Sequence, residues 1–349
     1  MAHNQHLSSQ KKIILIMPIH FNLYEGVVKN IESIGFKVEL LFLSDKRFTY
    51  KNFAQRCHNF IRKTFLFDKR FKQTLKDDFH DNGLTNELNK IDKKIDFGII
   101  IRPDFFSTNT ILHVKQKVNE LVAYQWDGLD RFPKAKNYLN LFDRFYLFDI
   151  DDYNALKNRH NNVFPTTNFY LDFEENHLTN SPMTENDIFF IGSYLPNRID
   201  SIIDIGNFFK KLNLKTDINI VYHDKNIPKQ YEDTNITFTP TSLTYLEMIE
   251  KVKKAAVLLD FANNTHNGLS VRTFESLHYK KKLITNNAIV KNYDFYHPNN
   301  IFVWDDNNIN DIENFLKLPY QEISKEIIQK YSFTNWLHYI LQIPPYQSY

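Results

Sequence analysis

Arg272 and Glu275 stand three residues apart in the string NGLSVRTFESL, just beyond Gly268 and Ser270. Gly268 lets the chain turn tightly, and Ser270 can cap a helix that begins after it. On that helix, positions i and i+3 are neighbours close to the positive end. A guanidinium there is a fork of donors that fits a phosphate, and a carboxylate, which only accepts, fits the two hydroxyls of a ribose. The same spacing also describes a surface ion pair with no ligand. A second group is Gly192, Ser193 and Arg198 in FIGSYLPNR. A strand, a single-glycine turn and a basic helix start can together hold a pyrophosphate. The third group comprises Asp127 and Asp130, which follow the apolar run from Leu121 to Trp126. A loop just past a strand end is where an α/β enzyme carries a base. Asp127 is therefore the first candidate to deprotonate an acceptor hydroxyl and Asp130 the second, although turn chemistry also favours aspartate in such places. His20, at the carboxyl end of the first apolar run, is the next candidate base, or a loop imidazole with no role.

The apolar pattern supplies the elements that must position these groups. Lys11 to Ile19 is nearly continuous, as in a strand buried on both faces of a parallel sheet. A helix from 23 to 33 and a strand from 36 to 43 complete a βαβ opening. Further strands are expected at 96–102, 121–126 and 144–148, with a helix at 110–119. The polar stretch 174–186 reads as an interdomain linker. Beyond it come strands at 188–191, 218–222 and 255–259 and a helix at 243–253. Val271, Phe274, Leu277 and His278 then recur at spacings of three and four, which predicts a helix with one face pressed into a core. Asp149-Ile150-Asp151 is a D-x-D whose oxygens suit Mg²⁺ or Mn²⁺, but Asp151 can instead cap the helix that follows. Residues 49–93 are helical, charged and rich in Phe, Lys and Arg. Such a segment can lie on anionic lipid, grip a charged acceptor, or simply pack on its own domain.

Bulk properties exclude several classes of function. A chain of 349 residues suggests two domains. A net charge of +2 gives no global argument for nucleic acid as a partner. Cys57 is the only cysteine, so neither an internal disulfide nor a zinc site built on several thiolates can form, and a reducing cytoplasm fits best. The eight glycines never approach a GxGxxG or P-loop spacing, which removes dinucleotide dehydrogenases and P-loop kinases. The first ten residues are polar, and the apolar run from Ile13 to Ile19 is too short for a signal-peptide core or a membrane span. A soluble protein is expected, with peripheral contact at the inner face of the membrane compatible with it.

NGLSVRTFESL, KKLITNN and YDFYHPNNIFV, preceded by YQWDGLDRFP, LFDRFYLFDIDDY and FIGSYLPNR in that order, resemble segments of bacterial cell-surface polysaccharide glycosyltransferases. These are lipopolysaccharide or capsule enzymes of the GT-B fold, and the resemblance covers about half the chain. It implies an α/β protein with two Rossmann-like domains facing across a cleft. The expected division is an acceptor domain at 10–173 with a helical insertion at 49–93, a donor domain at 187–332, and a last helix, 333–349, crossing back to the first domain. By position, Glu275 would hold the donor's ribose. The implied partners are a nucleotide-sugar donor and a glycan or glycolipid acceptor, without nucleic acid, cofactor or metal. Arg198, Arg272 and the helix start at 270 would steady the departing diphosphate. A sugar-nucleotide epimerase of the same fold and a non-catalytic nucleotide- or sugar-binding subunit remain the alternatives.

Overall fold

A computed structural model describes residues 10–349 except 20, 21, 43–47, 67, 69, 70, 174–185, 223–230, 232, 233, 263–267 and 306, and the side chains of 42, 73, 76, 80 and 186. His20 and most of the expected linker thus lie outside the described residues. The chain divides into two compact units, one of residues 1–20 and 31–166, the other of 21–30 and 167–349.

The first unit holds β1 (Lys12–Met17), β2 (Lys37–Phe42), β3 (Ile95–Ile101), β4 (Val118–Gln125), β5 (Arg144–Leu147) and β6 (Val163–Pro165). They form one parallel sheet in the order β2-β1-β3-β4-β5-β6. β1 and β3 are central and almost wholly buried, which is why they read as unbroken apolar runs. Helix α1 (Leu23–Ser33) joins β1 to β2, and Gly35 follows it at φ +101°, a left-handed turn that only glycine adopts cheaply. Helices α2 (Phe53–Phe65) and α3 (Phe71–Leu88) fill the long crossover to β3. Helices α4 (Thr108–Lys117) and α5 (Ile150–Leu156) follow β3 and β5. The cap of α5 is Asp149, whose carboxylate accepts from the amides of Asp151 and Asp152, so Asp151 lies inside the helix rather than at its cap. The D-x-D carboxylate at 149 is thereby committed to backbone amides.

The second unit holds β7 (Asn186–Ser193), α6 (Ile199–Lys211), β8 (Thr216–Val221), β9 (Thr237–Thr239), α7 (Tyr245–Lys254), β10 (Ala255–Asp260), α8 (Val271–His278), β11 (Lys282–Thr285) and β12 (Ile301–Val303). Helices α9 (Ile312–Lys317), α10 (Lys325–Lys330) and α11 (Phe333–Leu341) complete it. The sheet is again parallel, in the order β12-β11-β10-β7-β8-β9. It carries an apolar layer on each face. One layer is built on Ile202, Phe209, Ile220 and Leu259, and the other on Leu258, Phe274, Leu283 and Phe295. Helix α11 packs within this unit, with Trp336 lying 4.7 Å from Phe169 and the Thr334 amide bonded to Asp172.

His278, on α8, is stacked on Tyr170 at 4.1 Å, and burial, reinforced by the Lys253 charge, holds its pKa down at about 4. The imidazole is therefore neutral in the fold, whereas the unfolded chain protonates it near pH 6.5. Between those values unfolding takes up a proton, so stability falls as pH drops from 6.5 towards 4. The wild type is expected to lose up to about 3 kcal/mol more than His278→Phe over that interval, read by urea melts at each pH. Parallel pH profiles for the two proteins would show that His278 is protonated in the fold.

Candidate functional site

The strand order of the second unit defines where a ligand would sit. From β7 the chain moves outward to β8 and β9, and from β10 it moves outward the other way to β11 and β12. In open α/β sheets the ligand crevice opens at such a switch, beyond the carboxyl ends of the two central strands. Those ends are Gly192-Ser193 on β7 and Asp260 on β10, and all seven donor-site residues expected from the sequence belong to segments that begin or end there.

Asp260 is the group that sequence reasoning missed. It is 8% exposed, accepts from Ser270 Oγ at 2.8 Å and from Thr285 Oγ1 at 3.3 Å, and pairs in register with Thr285 on β11. Burial pushes its carboxyl up, and the Ser270 bond and the Arg272 charge pull it back. The network extends through Thr285 Oγ1, which accepts from the Asn287 amide, to the Asn287 side chain, which donates to Gly268 O at 3.0 Å. Ser270 stands at the cap position of α8, as expected, but its hydroxyl serves Asp260 and not the helix. A buried carboxylate needs donors more than the helix start needs an acceptor. The first turn of α8 is left with no side-chain cap.

Arg272 and Glu275 do form an ion pair, Nη1 to Oε2 at 2.7 Å, but it is not a surface pair: the side chains are 10% and 1% exposed. Helix α8 is buried from Thr273 to His278 and not along a single face, so Glu275 points into the protein. Arg272 Nη2 also reaches Met248 Sδ, and the guanidinium lies 5.5 Å above the Phe189 ring. Burial raises the Glu275 pKa, with Arg272 acting against it. Its second oxygen, Oε1, is buried with no hydrogen-bond partner among the described residues. The buried Tyr245 hydroxyl feels this carboxylate and is pushed well above its ordinary range, chiefly by desolvation. The Tyr245 hydroxyl is the donor inside the fold that faces this carboxylate and, with Arg272, draws its pKa back down.

Gly192 and Ser193 are the last two residues of β7, not a turn after it. Arg198, at the cap position of α6, folds back over them and donates from Nη2 to Ser193 O at 2.7 Å. A Cβ on Gly192 would stand 2.9 Å from that Nη2 and 2.8 Å from the Phe190 ring, so the missing side chain makes the room. Burial lowers the Arg198 pKa, opposed by the Asp260 charge, and its Nε is buried without a hydrogen-bond partner among the described residues. The charges of two guanidiniums, Arg272 and Arg198, thus act on the Asp260 carboxylate, and each has donor capacity beyond its internal bonds.

In the first unit, Asp127 lies beyond β4 and is held by two arginines, Oδ2 by Arg102 at 2.9 Å and Oδ1 by Arg131 at 3.0 Å. Arg102 sets the geometry. It follows β3 at φ 63°, a left-handed backbone rare for a side-chain-bearing residue, and it grips Asp104 through Nε and Nη2 while stacking 3.5 Å over Phe132. Nothing in a single strand-end arginine announces this role. Asp130 is 93% exposed and pairs with Lys136. Asp127 keeps two lone-pair sites beyond its ion pairs, so an acceptor hydroxyl can still address it.

Two parallel six-stranded sheets layered with helices define a GT-B fold. The chain is similar to S. aureus MnaA in its co-structure with UDP, at 12% identity and a TM-score of 0.52 over 97% of this chain and 99% of that one. It is likewise similar to sucrose-phosphate synthase from Thermosynechococcus elongatus, at 12% identity and a TM-score of 0.51 over 96% and 97%. At such identities the likeness is one of fold. No protein-family model and no curated protein matches the sequence.

Proposed function

We propose that this protein is a glycosyltransferase that moves a sugar from a nucleotide-sugar donor to a lipopolysaccharide or capsular glycan. The observation that carries this reading is the convergence, at the switch of the second sheet, of Arg198, Arg272 and the uncapped start of α8 with the buried carboxylates Asp260 and Glu275. Donor groups suit a diphosphate whose charge grows as it leaves, and an acceptor-only oxygen suits ribose hydroxyls. Glu275 is assigned the ribose. Arg198 and Arg272 are assigned the diphosphate, with Gly192, Ser193, Gly268 and Ser270 shaping the ground around it. These cationic groups replace a divalent metal at the diphosphate, and no cofactor is required. Asp127 is assigned the acceptor hydroxyl, with Asp130 and His20 next in order.

MnaA, solved with UDP, supports a nucleotide as a ligand of this fold, and the epimerase reading shares the proposed donor pocket. The two separate on the need for an acceptor. Nucleoside diphosphate is expected to appear from a panel of nucleotide sugars only when cell-surface glycan is added, and to do so in excess EDTA. Donor conversion in buffer without glycan would favour an epimerase, and tight binding without either reaction a non-catalytic subunit.

A further inference from the structure

Helix α2 is amphipathic in the opposite sense to a helix that serves only its own domain. Asn59 is its buried residue, giving its side-chain amide to the Tyr50 hydroxyl at 2.9 Å, and Arg62 is tied to Asp68 at 3.1 Å and lies 4.6 Å over Phe71. The outward face carries Phe53, Phe60, Ile61 and Phe65, followed by Leu66 at the C-cap, at 79, 62, 48, 69 and 65% exposure. Five of the eight exposed large hydrophobic residues of the described chain therefore fall in one stretch, 53–66, and the clustering is not the scatter of an ordinary surface. The helix contains no acidic residue. Arg56 and Lys63 are exposed at one edge of the apolar row, and with Lys72, Tyr50, Asn59, Phe60 and Asp68 they line a groove of about 410 Å³, its one carboxylate already tied to Arg62.

We infer that this face of α2 rests on an anionic lipid surface. Its aromatic and aliphatic side chains enter the boundary between headgroups and acyl chains, and Arg56, Lys63 and Lys72 take the headgroup phosphates. Charge favours this occupant over a second copy of the chain. A two-fold dimer pairing two copies of this helix antiparallel would set the cationic edge against itself, whereas a phosphate surface complements it. No described helix is long and apolar enough to cross a membrane, so the contact is one of lying on the bilayer. The inference is independent of the proposed sugar chemistry.

The test uses the full chain and sucrose-loaded vesicles, of phosphatidylcholine alone or mixed with phosphatidylglycerol. The protein is expected to sediment with the mixed vesicles and not with the neutral ones, and to come off at high salt. Phe53→Ser/Phe60→Ser/Phe65→Ser and, separately, Arg56→Glu/Lys63→Glu are each expected to lower the partition by about tenfold or more. Because these positions are exposed, melting temperatures should stay near wild type, and two unrelated variants guard against one that misfolds. An environment-sensitive dye on Cys57, the chain's only cysteine and a residue of α2, should shift to the blue with the mixed vesicles alone. Equal loading on both lipids, no loading, or wild-type loading of both variants would overturn the inference. So would a concentration-dependent dimer dissolved by the Phe variant without any vesicle binding, which would give the face to a second copy.

Discussion

Glu275→Ala is expected to lower nucleoside diphosphate affinity by about ten- to a hundredfold and to destabilise the second unit by about 3–5 kcal/mol, two effects with different causes. The loss of stability follows from Arg272, which would be left 10% exposed without its carboxylate. The loss of affinity follows from the missing carboxylate, the charged acceptor that the proposed function assigns to the ribose hydroxyls. Glu275→Gln separates them. It keeps the volume and one acceptor for Arg272 but removes the charge, so it should recover most of the stability and only part of the affinity. Calorimetric titration with nucleoside diphosphates on folded protein, alongside urea melts, reads both. A destabilised alanine variant that binds with wild-type affinity would reduce the pair to a structural tie.

Asp127→Asn is expected to cost transfer about 10²- to 10⁴-fold while sparing donor binding. Asp127 belongs to the first unit and the candidate donor groups to the second. The substitution is mild for the fold, because Arg102 retains its paired bonds to Asp104 and its stacking on Phe105 and Phe132. The melting temperature should therefore move by only a few degrees. Acceptor-dependent release of nucleoside diphosphate is the readout. Near-full activity would pass the role to Asp130 or His20, and a large loss of stability with unchanged rate would make Asp127 only the counter-ion of Arg102.

Much of the fold was legible because buried parallel strands and their crossover helices carry strong local patterns. The apolar runs over β1, β3 and β10 and the periodicity of α1 all fall where the structure has them. β7 was read two residues short at its carboxyl end because glycine usually ends a strand, and here the room it leaves is filled by Arg198 and Phe190, six residues on and two residues back. Short edge strands such as β6, β9 and β12, three residues each, have too few positions for any period to show.

Site legibility divides in the same way. Arg272 and Glu275 were visible as an i, i+3 pair, yet their depth was not, because burial of α8 on all sides depends on elements far away in sequence. Asp260 and Thr285 meet only because β10 and β11 pair in that register, and the pairing also draws Ser270 away from the helix it was expected to cap. Arg102 is unremarkable in sequence and becomes the anchor of Asp127 through a left-handed backbone and two aromatic rings. For α2 the amphipathic period was plain, but which face looks outward is a tertiary fact.

The central claim is that the switch between β7 and β10 holds a nucleoside diphosphate, and a thermal-shift measurement of the wild-type protein against the common nucleoside diphosphates tests it most directly. One of them at a hundredfold excess over its dissociation constant should stabilise the fold by about 2.7 kcal/mol, a shift that Glu275→Gln reduces. Melting curves unmoved by every nucleoside diphosphate at millimolar concentration, or a shift identical in wild type and Glu275→Gln, would contradict the account.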